Sequence, residues 1–424
     1  MTSTPPRQSS AVLDVPKPPD LSWHVQAHLP IDYEVVITRG LLSDGNGVLA
    51  RACGGDGTTP TRCLVVIDQT VARLYAKALQ AYFTTWRIEP VWKLVPGDED
   101  AKTLSHAVEI TEAMTEMGIL RRTEKVVAVG GGVVMDIAGL AASLYRRGAP
   151  YIRIPTTLMG QIDAGIGVKT GINLGHHKNR LGTYCAPEMT LIDPEFLFTQ
   201  DQRHVTNGVA EIVKMALVKD AALFELLERC VRALDAETLA SCGPDAREIL
   251  SRAIAGMLHE LEPNLWEGDL ERAVDFGHTF SPALELRADP PLLHGEAVAL
   301  DMAVSLALAH NRGMLSTTDA ERALNLMRSA GLPLTHPTFT VELLEQALEE
   351  TVKHRDGLQR VPLTQGIGTV EFVNDVSPDE LARAVGFVAE RVVAEVPPAP
   401  APAPAADGRI RAFGEGSSGS ERVA

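Results

Sequence analysis

The sequence predicts an α/β protein whose second half is mainly helical, and three observations predict it. Apolar stretches of strand length alternate with helical periods from residue 34 to about residue 155. From about Thr199 that alternation gives way to long amphipathic segments with few strand candidates. A chain of 424 residues also exceeds what one hydrophobic core usually serves, so two domains with a cleft between them are expected.

Taken in order, residues 1–28 form a leader, its first twenty rich in Pro, Ser and Thr and without the apolar core or cleavage site of a secretory signal. It is expected to be flexible, and the protein to stay in the cytoplasm. Strand candidates follow at 34–38, 63–67 and 88–95. At 125–148 the apolar run Val126, Val127, Ala128, Val129 meets Gly130, Gly131 and Gly132 and then a helical stretch over 136–147. Another strand is expected at 151–154. The first domain is set at 29–199 and the second at 200–393, with helices over 220–234, 246–261, 294–311 and 319–330. Pro–Ala alternation followed by Gly and Ser cannot bury enough apolar surface to order itself, so 394–424 are expected to be a disordered tail.

Composition excludes several classes of function. Residues are 45% hydrophobic and 22% charged, with no apolar run near the roughly 20 residues of a membrane helix, so no span is expected. Lys and Arg number 39 against 55 Asp and Glu, a net charge of −16 that repels polyanions and argues against nucleic acid as a partner. The five cysteines (Cys53, Cys63, Cys185, Cys230, Cys242) form no C-x-x-C pair, which fits a reduced compartment better than a disulfide framework or a zinc ribbon.

Residues that can carry chemistry fall into four groups. The triple glycine between a strand and a helix lets a pyrophosphate approach backbone N–H groups, or it is a plain tight turn. Asp68, after the strand that ends at Ile67, either accepts a ribose hydroxyl or caps a helix. The stretch 147–180 carries Arg147, Thr156, Thr157, Asp163, Lys169, Lys178, Asn179 and Arg180 among glycines. It is too glycine-rich for a helix and too polar for a core strand, and its four cations in an acidic protein suggest a phosphate cradle built of loop and edge structure. Glu211 with Lys214 one turn on, His278 in Phe-Gly-His-Thr-Phe and His294 in His-Gly-Glu-Ala-Val supply metal-ligand types, although no H-E-x-x-H spacing groups them.

Eight segments taken together resemble the dehydroquinate synthase superfamily in order and spacing. They are Gly-Gly-Gly-Val-Val-Met-Asp (130–136), Arg-Arg-Gly (146–148), Pro-Thr-Thr-Leu (155–158), 163–170, His-Lys-Asn-Arg-Leu-Gly (177–182), 207–214, Phe-Gly-His-Thr-Phe (276–280) and His-Gly-Glu-Ala-Val (294–298). The resemblance covers residues 34–393. It implies a Rossmann-like N-terminal domain holding NAD, a C-terminal mainly α-helical metal-binding domain, and a homodimer. It makes Glu211, His278 and His294 the ligands of a divalent metal, zinc with cobalt as the alternative. Asp163, Lys169, Lys178, Asn179 and Lys214 would line the substrate site, and Arg147 would reach the phosphate in the neighbouring subunit. Gly131, Gly132, Asp136, Thr156, Thr157 and Thr199 would contact NAD, with Asp68, Glu99 and Lys102 near its adenosine half.

Departures from the family's pattern narrow the substrate. Pro282 stands in place of a histidine, Glu271 of an arginine, Asp275 of an asparagine and Met257 of a lysine. Dehydroquinate synthase must pair a substrate carboxylate with positive charge, which Glu271 and Asp275 would oppose. A sugar phosphate with a neutral hydroxymethyl end suits these residues, and sedoheptulose 7-phosphate is of that kind. The sub-branch that uses it also shows Phe-Ser-Pro-Ala-Leu-Glu (280–285) and Arg-Asp-Gly-Leu-Gln-Arg-Val-Pro-Leu (355–363), where Arg360 would supply a further cation. The implied reaction oxidises a hydroxyl transiently, eliminates phosphate, returns the hydride and closes a carbocycle by aldol addition, giving 2-epi-5-epi-valiolone or a sister product. Dehydroquinate synthesis and net polyol oxidation by a related dehydrogenase are the competing expectations.

Overall fold

The computed structural model describes residues 22–175 and 177–393; the expected tail and most of the expected leader lie outside them. Residues 22–28 have no regular secondary structure and are exposed. Ten strands follow: β1 (Glu34–Ile37), β2 (Thr61–Asp68), β3 (Ile88–Val95), β4 (Lys125–Gly130), β5 (Tyr151–Pro155), β6 (Lys169–Leu174), β7 (His177–Tyr184), β8 (Met189–Ile192), β9 (Val361–Thr364) and β10 (Val370–Val373). Six of them form one sheet in the order β1-β8-β5-β4-β2-β3, every neighbouring pair parallel.

A parallel sheet with both faces covered needs strands that are apolar on both sides, which is why β2 and β4 are continuous aliphatic runs. Helices Leu104–Met117 and Gly132–Leu144 cover one face, through Ala107, Ile110, Met114, Val134 and Ile137. Helix Gln69–Thr85 covers the other through Leu79, Tyr82 and Phe83. The helix expected over 136–147 begins four residues earlier, at Gly132, and ends at Leu144, so Arg147 falls in a short 3-10 turn. A glycine-rich start hides a helix from propensity, and here the sheet beneath supplies what propensity lacks.

The stretch expected as loop and edge structure is in fact more regular. A π-helical turn, Gly160–Ala164, leads to an antiparallel ribbon of β6 and β7. The ribbon stands outside the main sheet, mostly exposed along β7, so no apolar alternation marks it in the sequence.

Past residue 199 the chain is helical apart from the small β9–β10 pair. Helix His294–Asn311 runs through the middle of this half, buried from Ala297 to Ala309 and packed against helices Gln202–Val218 and Pro378–Val393. It is apolar nearly all round, as a central helix must be, with Asp301 and Ser305 its buried polar exceptions. The core around it also takes in Leu158, Ile162, Ile166, Ile192 and Leu197, so the packing crosses the boundary expected at 199. No helix among the described residues is long and apolar enough to cross a membrane.

Candidate active site

Three elements bring Glu211, His278 and His294 together. Glu211 and Lys214 lie one turn apart on helix Gln202–Val218, 1% and 2% exposed in their side chains. His278 sits in the turn between the buried rings of Phe276 and Phe280, entered through Gly277 at φ 77°, where a Cβ would come within 2.8 Å of Val298. His294 is the first residue of its helix, and Gly295 beside it lets the two helices close up, because a Cβ there would lie 2.0 Å from the Asn207 carbonyl oxygen. One ligand atom from each of the three residues lies within 4.8 Å of the others. Nε2 of His294 and of His278 stand 3.5 and 3.8 Å from Glu211 Oε1.

The surroundings orient each ring. His278 Nδ1 bonds the Phe276 carbonyl oxygen at 3.1 Å and His294 Nδ1 bonds Glu285 Oε1 at 2.7 Å, so in both rings Nε2 faces the carboxylate. Burial pushes the Glu211 carboxyl up, but the Lys214 ammonium and the two imidazoles outweigh it and hold the group far below its usual range. Burial and Lys214 lower His278 to about 4, whereas Glu285 and Glu211 outweigh burial at His294 and raise it to about 10. Both Glu211 oxygens are buried without a directed hydrogen bond, Lys214 pairing with Oε2 as a charge. An anionic oxygen and two ring nitrogens converging in this way are the donor set of a divalent ion with open positions, and the residues fit one.

Lysines and carboxylates surround this centre. Asp163, on the π-turn, is raised by burial and by Glu211, and Lys214 and His294 lie close enough to oppose that rise. Lys178 Nζ donates to Glu285 Oε2 at 2.8 Å, so Glu285 holds Lys178 with one oxygen and His294 with the other. Lys169 meets Glu267 at 2.8 Å, and Glu267 also pairs with Arg272. Asn179, at φ 54°, accepts from Lys102 Nζ at 2.6 Å, and Lys102 pairs with Asp136 at 2.7 Å. Glu99 accepts from Asn173 of β6 at 2.9 Å, so this loop and the β6–β7 ribbon are tied together.

Asp275 differs from the sequence expectation in one respect. It is no lone repelling anion: Arg272 Nη2 stands 2.6 Å and Arg355 Nη2 3.7 Å away. Burial raises its carboxyl, but the two guanidinium groups more than offset that and hold it below the ordinary range. Glu271 is exposed and Met257 is buried in the helical core. Arg360, at φ 42°, binds the Arg355 carbonyl oxygen at 2.6 Å, so it is Arg355 whose guanidinium faces Asp275.

At the carboxyl ends of β4 and β5 lies the glycine turn. Gly131 precedes helix Gly132–Leu144 with no side-chain cap, leaving the first amides of the helix free to bind an anion. A side chain on Gly132 would meet Ala164, the neighbour of Asp163, at 3.2 Å, which places this turn beside the Glu211 centre. Thr157 lies against Gly131, and the buried Thr156 hydroxyl has no partner. A dinucleotide pyrophosphate fits these free amides and that hydroxyl at the edge where parallel sheets bind nucleotides. Asp68 does cap helix Gln69–Thr85, accepting from Thr70 N at 2.5 Å and Val71 N at 3.1 Å. Thr199 is exposed and shares a hydrogen bond with Tyr75 at 3.0 Å.

Arg147 is the residue least joined to the rest. It lies in an exposed turn at φ 66°, beyond the far end of a 13-residue helix and so about 20 Å from the glycine turn. Sequence reasoning left Glu285, Glu267, Arg272 and Arg355 without roles, because an ion-pair network is visible only once its members meet.

Comparison with known proteins gives two family matches and close relatives. The model described as 3-dehydroquinate synthase N-terminal matches residues 92–207, and 3-dehydroquinate synthase C-terminal matches 208–354. A 2-epi-5-epi-valiolone synthase of Actinomyces sp is 50% identical over 372 residues, 87% of this chain and 98% of that protein. One of Streptomyces hygroscopicus subsp. jinggangensis is 51% identical over 374 residues, 87% of this chain and 90% of that protein. The solved structure of ValA (2-epi-5-epi-valiolone synthase) from strain 5008 of that subspecies, with NAD+ and Zn2+ bound, superimposes with a TM-score of 0.82 at 51% identity, covering 87% of this chain and all of that one.

Proposed function

Because the chain belongs to the dehydroquinate synthase family, we propose that it is a sugar phosphate cyclase converting sedoheptulose 7-phosphate into 2-epi-5-epi-valiolone and inorganic phosphate. The observation that carries this is the convergence of Glu211, His278 and His294 within 4.8 Å, beside a glycine turn with free helix amides. The named synthases that share half of its residues support the product. NAD and a divalent ion, Zn2+ with Co2+ as the alternative, are its cofactors, as NAD+ and Zn2+ are bound in the ValA structure.

When bound, NAD supplies a reversible hydride acceptor and the ion a Lewis acid, so the net reaction leaves the cofactor unchanged. The chain's own residues do the rest. Gly131, Gly132, Asp136, Thr156, Thr157 and Thr199 contact the dinucleotide, and Asp68, Glu99 and Lys102 lie near its adenosine half. Lys169 and Asn179 hold the phosphate by charge and hydrogen bond and orient it for departure. Lys178, kept protonated by Glu285, and Lys214, kept protonated by Glu211 and Asp163, move or hold protons at substrate oxygens. Asp275 lies toward the neutral end of the sugar, and Arg360 supplies a further cation to the substrate site. The protein acts as a homodimer, and its partner supplies Arg147 to the phosphate; the exposure of Arg147 in a turn beyond the end of helix Gly132–Leu144 supports that role. A cytoplasmic place is supported by five free cysteines.

Purified protein with sedoheptulose 7-phosphate, catalytic NAD+ and Zn2+ should release phosphate and give 2-epi-5-epi-valiolone by NMR. NADH accumulating in step with substrate loss, or turnover confined to a carboxylated heptulosonate phosphate, would overturn the assignment.

A further inference from the structure

From the end of the Asp163 turn to the start of β6 lie five consecutive carbonyl groups, four in a stretch of turn and bend at 165–168 and the fifth that of Lys169, the first residue of the strand. Each is held from outside the stretch. Thr190 Oγ1 donates to Gly165 O at 2.9 Å, Tyr33 Oη to Ile166 O at 3.0 Å, and Cys185 N to Val168 O at 2.7 Å. Arg153 reaches three: Nη1 donates to Gly165 O at 3.4 Å and to Gly167 O, and Nη2 to Lys169 O at 3.1 Å.

Arg153 is an unexpected residue for its place. It lies on β5 in the middle of the sheet, is 0% exposed, and its Nε has no partner. Its guanidinium forms no ion pair with a described residue; it reaches those three carbonyls and the face of Tyr151. A buried cation with no carboxylate in direct contact, Asp136 feeling its charge only from farther off, is costly, and an aliphatic side chain would suit the strand better, so its value lies in what it holds.

We infer that Arg153 is a positioning residue, fastening the Gly165–Lys169 backbone to the sheet so that Asp163 and Lys169 are presented in fixed relation to the cleft before substrate arrives. The inference rests on the proposed role of Lys169 at the substrate phosphate. A backbone held at five successive carbonyls has little freedom left to lose on binding, and small displacements of a binding cation are expensive.

Arg153→Met removes the donors without burying a new polar group. It should raise KM for sedoheptulose 7-phosphate by about tenfold or more while NAD+ affinity stays unchanged. Amide exchange in peptides spanning 165–169 should quicken in the variant. In a Lys169→Met background the Arg153→Met effect on KM should disappear, because the two act as one unit. Tyr33→Phe, which deletes only the bond to Ile166 O, should fold normally and raise the same KM about two- to fivefold; it decides the matter if Arg153→Met does not fold. A fall in kcat alone with KM constant, effects of Arg153 and Lys169 that simply add, or unchanged exchange over 165–169 would overturn the inference. A wild-type enzyme inert toward sedoheptulose 7-phosphate would instead sink the proposed function, and the exchange measurement would still decide whether Arg153 holds the segment.

Discussion

Two oxygens of one carboxylate, Glu285, bind a metal-ligand type on one side and a lysine on the other. Such an outer partner fixes the tautomer and orientation of the ring it holds. Glu285→Gln should therefore weaken zinc affinity, by chelator competition, and lower kcat/KM, each by about 10- to 100-fold. His278→Ala removes a proposed ligand outright and should cost more than that range, with metal content falling and the far-UV circular dichroism preserved; a variant that keeps both zinc and turnover would remove His278 from the centre. The individual residue types were legible in the sequence, since Glu211, His278 and His294 stand in recognisable motifs. Glu285 and Arg355 were not, because their chemistry is a matter of which opposite charge lies within reach, and charge pairing across the fold leaves no local pattern; Arg272 pairs locally with Asp275, but in a short turn whose geometry no periodicity announces.

At the level of single elements, capping and close approach aim the site. The last helix, Pro378–Val393, is tied to the end of helix His294–Asn311 by Glu380. Its carboxylate accepts from Arg312 Nε at 2.8 Å and Nη2 at 3.0 Å, and from Ser377 N at 3.0 Å. Arg312 and the Ser377 groups depress the Glu380 pKa to about 2. A depressed carboxylate contributes stability that is complete above its ordinary pKa, near 4.5, and is lost as pH falls from there toward about 2. Thermal melts from pH 6 to pH 2.5 should show Glu380→Gln less stable than wild type near pH 6, the gap narrowing as pH falls through that window; a gap constant with pH would refute the pair's contribution. The major sheet strands and most long helices were readable from their periods. The β6–β7 ribbon was not, since only the short Thr170–Ile172 segment of β6 is buried, β7 is mostly exposed, and the ribbon's strand character comes from pairing rather than from an apolar alternation.

Across the whole molecule, the site is assembled from the carboxyl edge of a parallel sheet and one end of a helical bundle, and it is proposed to be completed by a second copy. Mixing inactive Arg147→Ala and His278→Ala dimers under exchange conditions should restore activity to about a quarter of wild type, because half of the random dimers would contain one intact site. No recovery would place Arg147 in its own subunit's site or outside any site. Zn2+ and NAD+ should each raise the melting temperature with concentration, as ligands that bind only the folded state must. The amino-acid sequence by itself determined the α/β class, the helical second half and the identity of the motif residues, because these depend on local period, composition and short spacing. Only the tertiary structure decided that Asp275 is neutralised by Arg272 and Arg355, that Asp68 caps its helix, and that Arg153 holds the stretch beneath Lys169. The Arg355 and Arg153 contacts join separate segments of the chain, whereas the Asp68 cap and the Arg272 pair are local conformations among several that the sequence left open; burial against charge pairing selects all of them only once the chain has folded.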